Sequence, residues 1–173
     1  MIADPDARIE IFQGDITTLT VDAIVNAANA ALRPGGGVCG AIHRAAGPDL
    51  AKACGRVGGC PTGESRATDG YRLAARRVIH TVGPVWGGGD QDEEGLLASC
   101  YRTALKIAVE EGLRSIAFPA ISTGVYGFPL DRATAIAVAT VRRFLSDDET
   151  LERVVFAVFG AEAEAAYRRE LGR

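Results

Sequence analysis

Short apolar runs alternate along the chain with longer stretches of helical spacing. Arg8–Gln13 (RIEIFQ) alternates polar and apolar residues, which predicts a half-buried strand. Ala23–Val25 is apolar and bounded by Asp22 and Asn26, the pattern of a buried strand. Glu64–Thr68, Arg77–Val82, Ser115–Phe118 and Arg153–Phe159 read as further strands. Helices are predicted over Val38–Ala46, from Asp49 to the glycines at Gly55, Gly58 and Gly59, and over Glu93–Glu111, Pro129–Leu145 and Glu162–Leu171. In the longest, Leu96, Leu97, Cys100, Tyr101, Ala104, Leu105 and Ala108 recur at helical spacing, and Gly112 closes it. Strands alternating with helices predict an α/β layered sheet with helices on both faces. With 173 residues and no repeat or linker, one domain is expected.

Two glycine-rich loops interrupt this pattern. In the first, Asn26 and Asn29 bracket two alanines in a polar turn past the strand, and Gly35, Gly36 and Gly37 precede a helix. Glycines placed before a helix leave backbone N–H groups free at a positive dipole end, an anion site suited to phosphate or an adjoining sugar. The second, Ser122–Gly127 (STGVYG), offers two hydroxyls and several N–H groups at the carboxyl end of a strand. Side by side, the two loops suit a diphosphate with its sugars. Gly35–Gly40 formally matches G-x-G-x-x-G, but about 20 residues on there is no acidic residue to hold a ribose, so a dinucleotide-dependent dehydrogenase reads poorly. The P-loop motif is absent.

Single residues leave alternatives. Asp15 reads as a cap for the following turn in preference to a ligand contact. Phe159 reads as core in preference to a stacking platform. His43 lies one helical turn after Cys39 on the same face, either as a site residue or as a satisfied buried histidine. His80, within the strand VIHTV, reads as structural, and Trp86 as packing.

Lys+Arg 19 against Asp+Glu 22 leaves a net charge of −3, which argues against nucleic acid or an anionic membrane as the main partner. No apolar run reaches the ~18 residues of a membrane span. Cys39, Cys54, Cys60 and Cys100 lack CxxC spacing, and MIADPDARIE shows no secretory start, so free thiols in a reducing cytoplasm are expected. A zinc site from Cys39, His43, Cys54 and Cys60 matches no common zinc module, and no metal is expected.

The stretches GDIT (Gly14–Thr17), DAIVNAAN (Asp22–Asn29), GGGV (Gly35–Val38), GAIHRAAGP (Gly40–Pro48), CPTGE (Cys60–Glu64), VIHTVGPVW (Val78–Trp86) and FPAISTGVYGFP (Phe118–Pro129) resemble, in order, the macrodomains of the MacroD-type branch. The resemblance implies a three-layer α/β/α fold around a mixed central sheet that binds ADP-ribose. It implies that Asp15 holds the adenine amine, that Ile16 adds a backbone contact, and that Phe159 packs on the adenine, against the core reading above. It further implies that Ser122, Thr123, Gly124, Val125, Tyr126 and Gly127 wrap the diphosphate, and that Asn29, Gly35, Gly36, Gly37 and Val38 hold the distal ribose. Such proteins hydrolyse ADP-ribosyl esters, namely O-acetyl-ADP-ribose and proteins ADP-ribosylated on Asp or Glu. Water is the nucleophile, and neither cofactor nor metal is required. A bulky residue at Gly124 is expected to fill the diphosphate site and disfavour the loop backbone.

One departure stands out. Where the family usually has GGGGVDGAIH, this chain has PGGGVCGAIH, with Pro34 and Cys39 in place of glycine and aspartate. A carboxylate (reference pKa ~3.9) is ionised at neutral pH and accepts a water's hydrogen bond; a thiol (~8.5) is mostly neutral. The leading expectation is a cytosolic, monomeric hydrolase that holds its water with Asn29, His43 and the ligand's phosphate, with Cys39 as a substitute. The alternative is a non-catalytic ADP-ribose reader. A third reading makes Cys39 a nucleophile or redox-sensitive group.

Overall fold

The computed structural model describes residues 4–173; Met1 to Ala3, part of the stretch read for a secretory start, lie outside the described residues. Strands β1 (Ile9–Gln13), β2 (Ala23–Ala28), β3 (Ser65–Asp69), β4 (Arg77–Val82), β5 (Ser115–Phe118) and β6 (Arg153–Val158) form one sheet in the order β1-β6-β5-β2-β4-β3. Neighbouring strands are parallel except β3, which pairs antiparallel with β4 at the edge. Helices α1 (Gly37–Ala46) and α2 (Pro48–Val57) cover one face, and α3 (Glu93–Glu110), α4 (Leu130–Ser146) and α5 (Ala161–Leu171) cover the other. The fold is the mixed three-layer α/β/α sandwich the resemblance implied.

Both faces of the sheet are buried, so each strand feeds two cores with its alternate residues. On β2, Ala23 and Val25 meet the α3–α5 layer, while Ile24 and Ala28 meet α1 and α2. On β6, Val154, Phe156 and Val158 take the first side, and Val155 and Ala157 the second. Aromatic rings bind the larger core together. Tyr101 on α3 packs on Phe118 at 4.9 Å between centroids, and Phe156 on β6 packs on Tyr167 of α5 at 4.8 Å.

Two expectations need correction. Asn26 is not in a turn: β2 runs on to Ala28 and holds Asn26 inside the sheet, 1 % exposed. A buried amide is tolerated there because a neighbouring strand supplies its partner. Asn26 is the register partner of His80 on β4, and its Nδ2 lies 3.0 Å from His80 Nδ1. The backbone objection to a side chain at Gly124 also fails. Gly124 does not have a left-handed backbone, and a Cβ there meets no atom within 4 Å.

Candidate functional site

Strands β1, β6, β5, β2 and β4 all point the same way, so their carboxyl ends share one edge of the sheet. A cleft of about 650 Å³ lies along that edge, of a size that holds a nucleotide-type ligand. Ile16 walls it after β1, Asn29 after β2, Gly83 after β4, residues 119–126 after β5, and residues 157–159 at the end of β6. The start of α1, residues 35–39, closes one end. Of the candidates from sequence, Ile16, Asn29, Gly35, Gly36, Gly37, Val38, Cys39, Ser122, Thr123, Gly124, Val125, Tyr126 and Phe159 come together here. Asp15, His43 and Gly127 do not line the cleft.

The glycine run before α1 serves close approach. Gly36 is the N-cap, and no side chain caps the first turn, which leaves its N–H groups for a ligand. Gly40 faces inward, where a Cβ would stand 2.5 Å from the Gly35 carbonyl oxygen, so the loop can fold back onto the helix only over a glycine.

Across the cleft, Ser122 adopts a left-handed backbone (φ +66°), and its buried Oγ has no hydrogen-bond partner among the described residues. It packs so tightly on Gly83 that a side chain at position 83 would collide with the Ser122 hydroxyl. A strained serine with an unpaired hydroxyl at a cleft wall is a donor kept for a ligand. The 122–128 loop is closed by the Phe128 N–H, which donates to Ser122 O at 2.9 Å, and by the Gly127 N–H, which donates to Gly124 O at 3.0 Å. Val125 at its tip is fully exposed.

Phe159 is 65 % exposed and sits on the cleft wall, which overturns the core reading drawn from its place at a strand end. The strand stops at Val158, and the backbone turns at Gly160 (φ +84°) into α5, which leaves the ring outside the core. Asp15 caps the turn at residues 16–18: its Oδ1 accepts from the Thr17 N–H at 2.9 Å and from the Thr17 hydroxyl at 2.8 Å.

Asn29 and Cys39 converge on one backbone group. The Asn29 amide donates to Arg33 O at 2.8 Å and accepts from the Arg33 N–H at 3.0 Å. The Cys39 thiol donates to the same Arg33 carbonyl at 3.7 Å and accepts from Asn26 Nδ2, also at 3.7 Å. Behind Asn26, His80 Nε2 lies 2.9 Å from the Thr68 hydroxyl and 3.7 Å from Cys54 Sγ. Burial, with a smaller push from His43, lowers the His80 pKa to about 4. His43 is buried as well, neither ring nitrogen has a partner among the described residues, and burial lowers its pKa. Both imidazoles are therefore neutral at pH 7. Burial raises the Cys54 and Cys60 thiols and brings Cys100 up to about 11. All four cysteines are free, and among the described residues no three His, Cys, Asp or Glu side chains gather where a metal ion would sit.

Sequence reasoning missed two supports of the site. Asn26, read as a turn residue, is the partner of Cys39; its register against His80 is the signal that reveals it. Glu93, at the start of α3, is 1 % exposed and accepts N–H bonds from Gly87, Gly89 and Gln91 at 2.8, 2.9 and 2.6 Å. These backbone bonds hold its pKa down to about 2. The loop so anchored follows Trp86, whose backbone N–H donates to Tyr126 O at 2.8 Å and whose ring packs on Phe128 at 4.7 Å. The Gly-rich 87–89 segment before an acidic helix start was the only sign of this in the sequence.

The cleft thus offers an uncapped helix start, a hydroxyl and amide loop, an exposed aromatic, and a thiol beside an asparagine. Comparison with known proteins agrees with that description. The Macro domain family model matches residues 25–137. An O-acetyl-ADP-ribose deacetylase of Klebsiella pneumoniae is 56% identical over 166 residues, which cover 94% of this chain and 95% of the relative. The solved structure of an Oceanobacillus iheyensis macrodomain with ADP has a TM-score of 0.89 at 45% identity, covering 95% of this chain and 90% of that one. That of a Trypanosoma brucei macrodomain in complex with ADP-ribose has a TM-score of 0.89 at 47% identity, covering 94% of this chain and 68% of that one. By family match, identity and fold, the chain belongs to the macro domain family.

Proposed function

We propose that this chain, acting as a single macro domain, binds ADP-ribose and hydrolyses ADP-ribosyl esters, with O-acetyl-ADP-ribose and ADP-ribosylated Asp or Glu side chains as the substrate class. The observation that carries the reading is the cleft itself, where an uncapped helix start and the 122–128 loop close on one cavity at the parallel strand ends. In this reading Phe159 stacks on the adenine, and Asp15 keeps its second oxygen for the adenine amine. The 122–127 loop holds the diphosphate, and Asn29 with residues 35–38 holds the distal ribose. Water adds to the acyl carbonyl carbon, and the N–H groups at the start of α1 meet negative charge as it develops. The ester C–O bond then breaks, the ribose oxygen leaves as a hydroxyl, and the acid is released. Asn29 and Cys39 flank the reacting end, with His43 behind Cys39 on the same helix.

A second reading, a reader with little turnover, is favoured by the bonding of Cys39. Its proton is turned to Arg33 O and its sulfur takes the Asn26 donor, so no carboxylate is there to orient a water. Four free, buried cysteines support a reducing compartment such as the cytoplasm. No described helix is long and apolar enough to cross a membrane. We take the working state as a monomer, because exposed large apolar side chains among the described residues are dispersed and two of them, Val125 and Phe159, belong to the cleft.

Calorimetric titration with ADP-ribose, followed by a time course of acetate release from O-acetyl-ADP-ribose, tests the proposal. Binding with steady release above a heat-killed control is expected. Binding without release, restored in Cys39→Asp at unchanged affinity, would establish the reader instead.

A further inference from the structure

A second, smaller cleft of about 250 Å³ lies against the loop that leads from Asn29 to the glycine run of the main one. Its walls are residues 31–34, Ala51 and Gly55 on α2, and Gly58 just past its end. The two clefts share one loop, since Asn29 lines the first and Arg33 and Pro34 line the second. Arg33 also holds the backbone group on which Asn29 and Cys39 converge.

The charge of the segment that carries this loop and α2 is one-sided. Between Asp22 and Glu64 the sequence has four cations, Arg33, Arg44, Lys52 and Arg56, and one carboxylate, Asp49. Asp49 is taken by Lys52 at 3.8 Å. Arg33, Arg44 and Arg56 are exposed, and their guanidinium groups have no ion pair among the described residues. Elsewhere most arginines meet carboxylates, as Arg77 meets Glu111 at 3.0 Å, Arg142 meets Asp6 at 2.7 Å and Arg153 meets Glu10 at 2.9 Å, while Arg72, Arg102 and Arg143 also lack an ion pair among the described residues. Arg56 follows Gly55 of the second cleft on the last turn of α2. Arg44 lays its guanidinium over Gly40 at the glycine run, with Nη1 3.1 Å from where a Cβ would stand. Arg33 thus lines the second cleft, Arg56 follows one of its lining residues in the chain, and Arg44 stands at the glycine run, on a chain whose net charge is −3.

We infer that this face docks the acidic polypeptide segment that flanks a modified Asp or Glu. The inference rests on the hydrolase reading above for which end of the ligand carries the ester. With ADP-ribose in the main cleft, the attached chain leaves past Asn29 and Gly35 and crosses the 29–34 loop into the second cleft. Its carboxylates meet Arg44 at the glycine run, Arg33 in the second cleft and Arg56 next to Gly55, and bidentate guanidinium pairing suits them. A nucleic acid strand fits less well, because single strands need aromatic platforms. The exposed aromatics among the described residues, Tyr71 and Phe159, lie outside the second cleft.

The test uses two peptides carrying ADP-ribose on a central residue through a stable amide, one flanked by Glu and Asp and one by Ser and Gly. The acidic peptide is expected to bind about tenfold tighter at low salt, the sum of three exposed ion pairs. The ratio should shrink toward unity at high salt and in Arg33→Glu and Arg56→Glu, while free ADP-ribose binds Arg56→Glu as it binds the parent. Equal affinities at low salt, or a ratio unmoved by charge reversal, would overturn the inference. So would an oligonucleotide that displaces the acidic peptide better than a Glu-rich peptide of equal charge. Turnover of O-acetyl-ADP-ribose on the same samples reports the chemistry separately; its absence with the peptide ratio intact defeats the hydrolase reading alone.

Discussion

Asn26 on β2 and His80 on β4 are cross-strand partners, and the Asn26 amide donates to His80 Nδ1 at 3.0 Å. An amide nitrogen can only donate, so Nδ1 accepts and the ring proton sits on Nε2, facing the Thr68 hydroxyl. The pair keeps a neutral imidazole in the sheet and hands the second amide hydrogen to Cys39.

Acid should therefore unfold this protein through its histidines before its carboxylates. His80 has a folded pKa of about 4, below its ordinary 6.5, and His43 is lowered as well. The His80 contribution is complete above pH 6.5 and is lost as pH falls from 6.5 toward 4, because the unfolded chain takes the proton first; His43 adds a loss of the same sign below 6.5. For His80 the loss is at most about 3.5 kcal/mol. Urea unfolding between pH 7 and pH 4 should show this slope, and it should flatten in His80→Gln. An imidazole titrating near its ordinary pKa by NMR would contradict the buried pair.

Glu93 acts in a lower window. Its folded pKa of about 2 lies below the ordinary 4.5, so its contribution is present above pH 4.5 and is lost as pH falls toward 2. Glu93→Gln strips the charge from the three N–H bonds of the 87–91 loop. A lower melting temperature at pH 7 is expected, with weaker ADP-ribose binding because Trp86 then holds Tyr126 less firmly. Unchanged affinity would show that the 122–128 loop keeps its shape without this anchor.

Gly124→Glu separates binding from folding. The position is open and its backbone is ordinary, so the variant should melt close to the parent. A carboxylate facing the proposed diphosphate should weaken ADP-ribose binding by about a hundredfold or more. Retained affinity in the folded variant would move the diphosphate away from this loop.

Phe159→Ala should do the same at the adenine end. With the ring 65 % exposed, little core packing is lost. Loss of stacking should weaken ADP-ribose binding by about tenfold, and calorimetry on parent and variant reads it directly. A variant that binds like the parent would return the ring to a role at the surface.

Much of this molecule was set by local sequence. The short runs Arg77–Val82 and Ser115–Phe118 read as strands, the second as a buried one, because an apolar run needs cover on both faces. The glycines at residues 35–37 and the STGVYG loop marked the two sides of the cleft, because those positions need backbone to come close. Residue partnerships across the sheet were not legible. The β2–β4 register decided that Asn26 completes a strand and serves His80 and Cys39, since a polar residue can stay in a core only where a neighbouring strand supplies its partner. The turn at Gly160 decided that Phe159 faces the cleft and not the core. Packing of the 29–34 loop against α1 decided that the Cys39 thiol donates to Arg33, because a hydrogen bond depends on where two distant backbones meet.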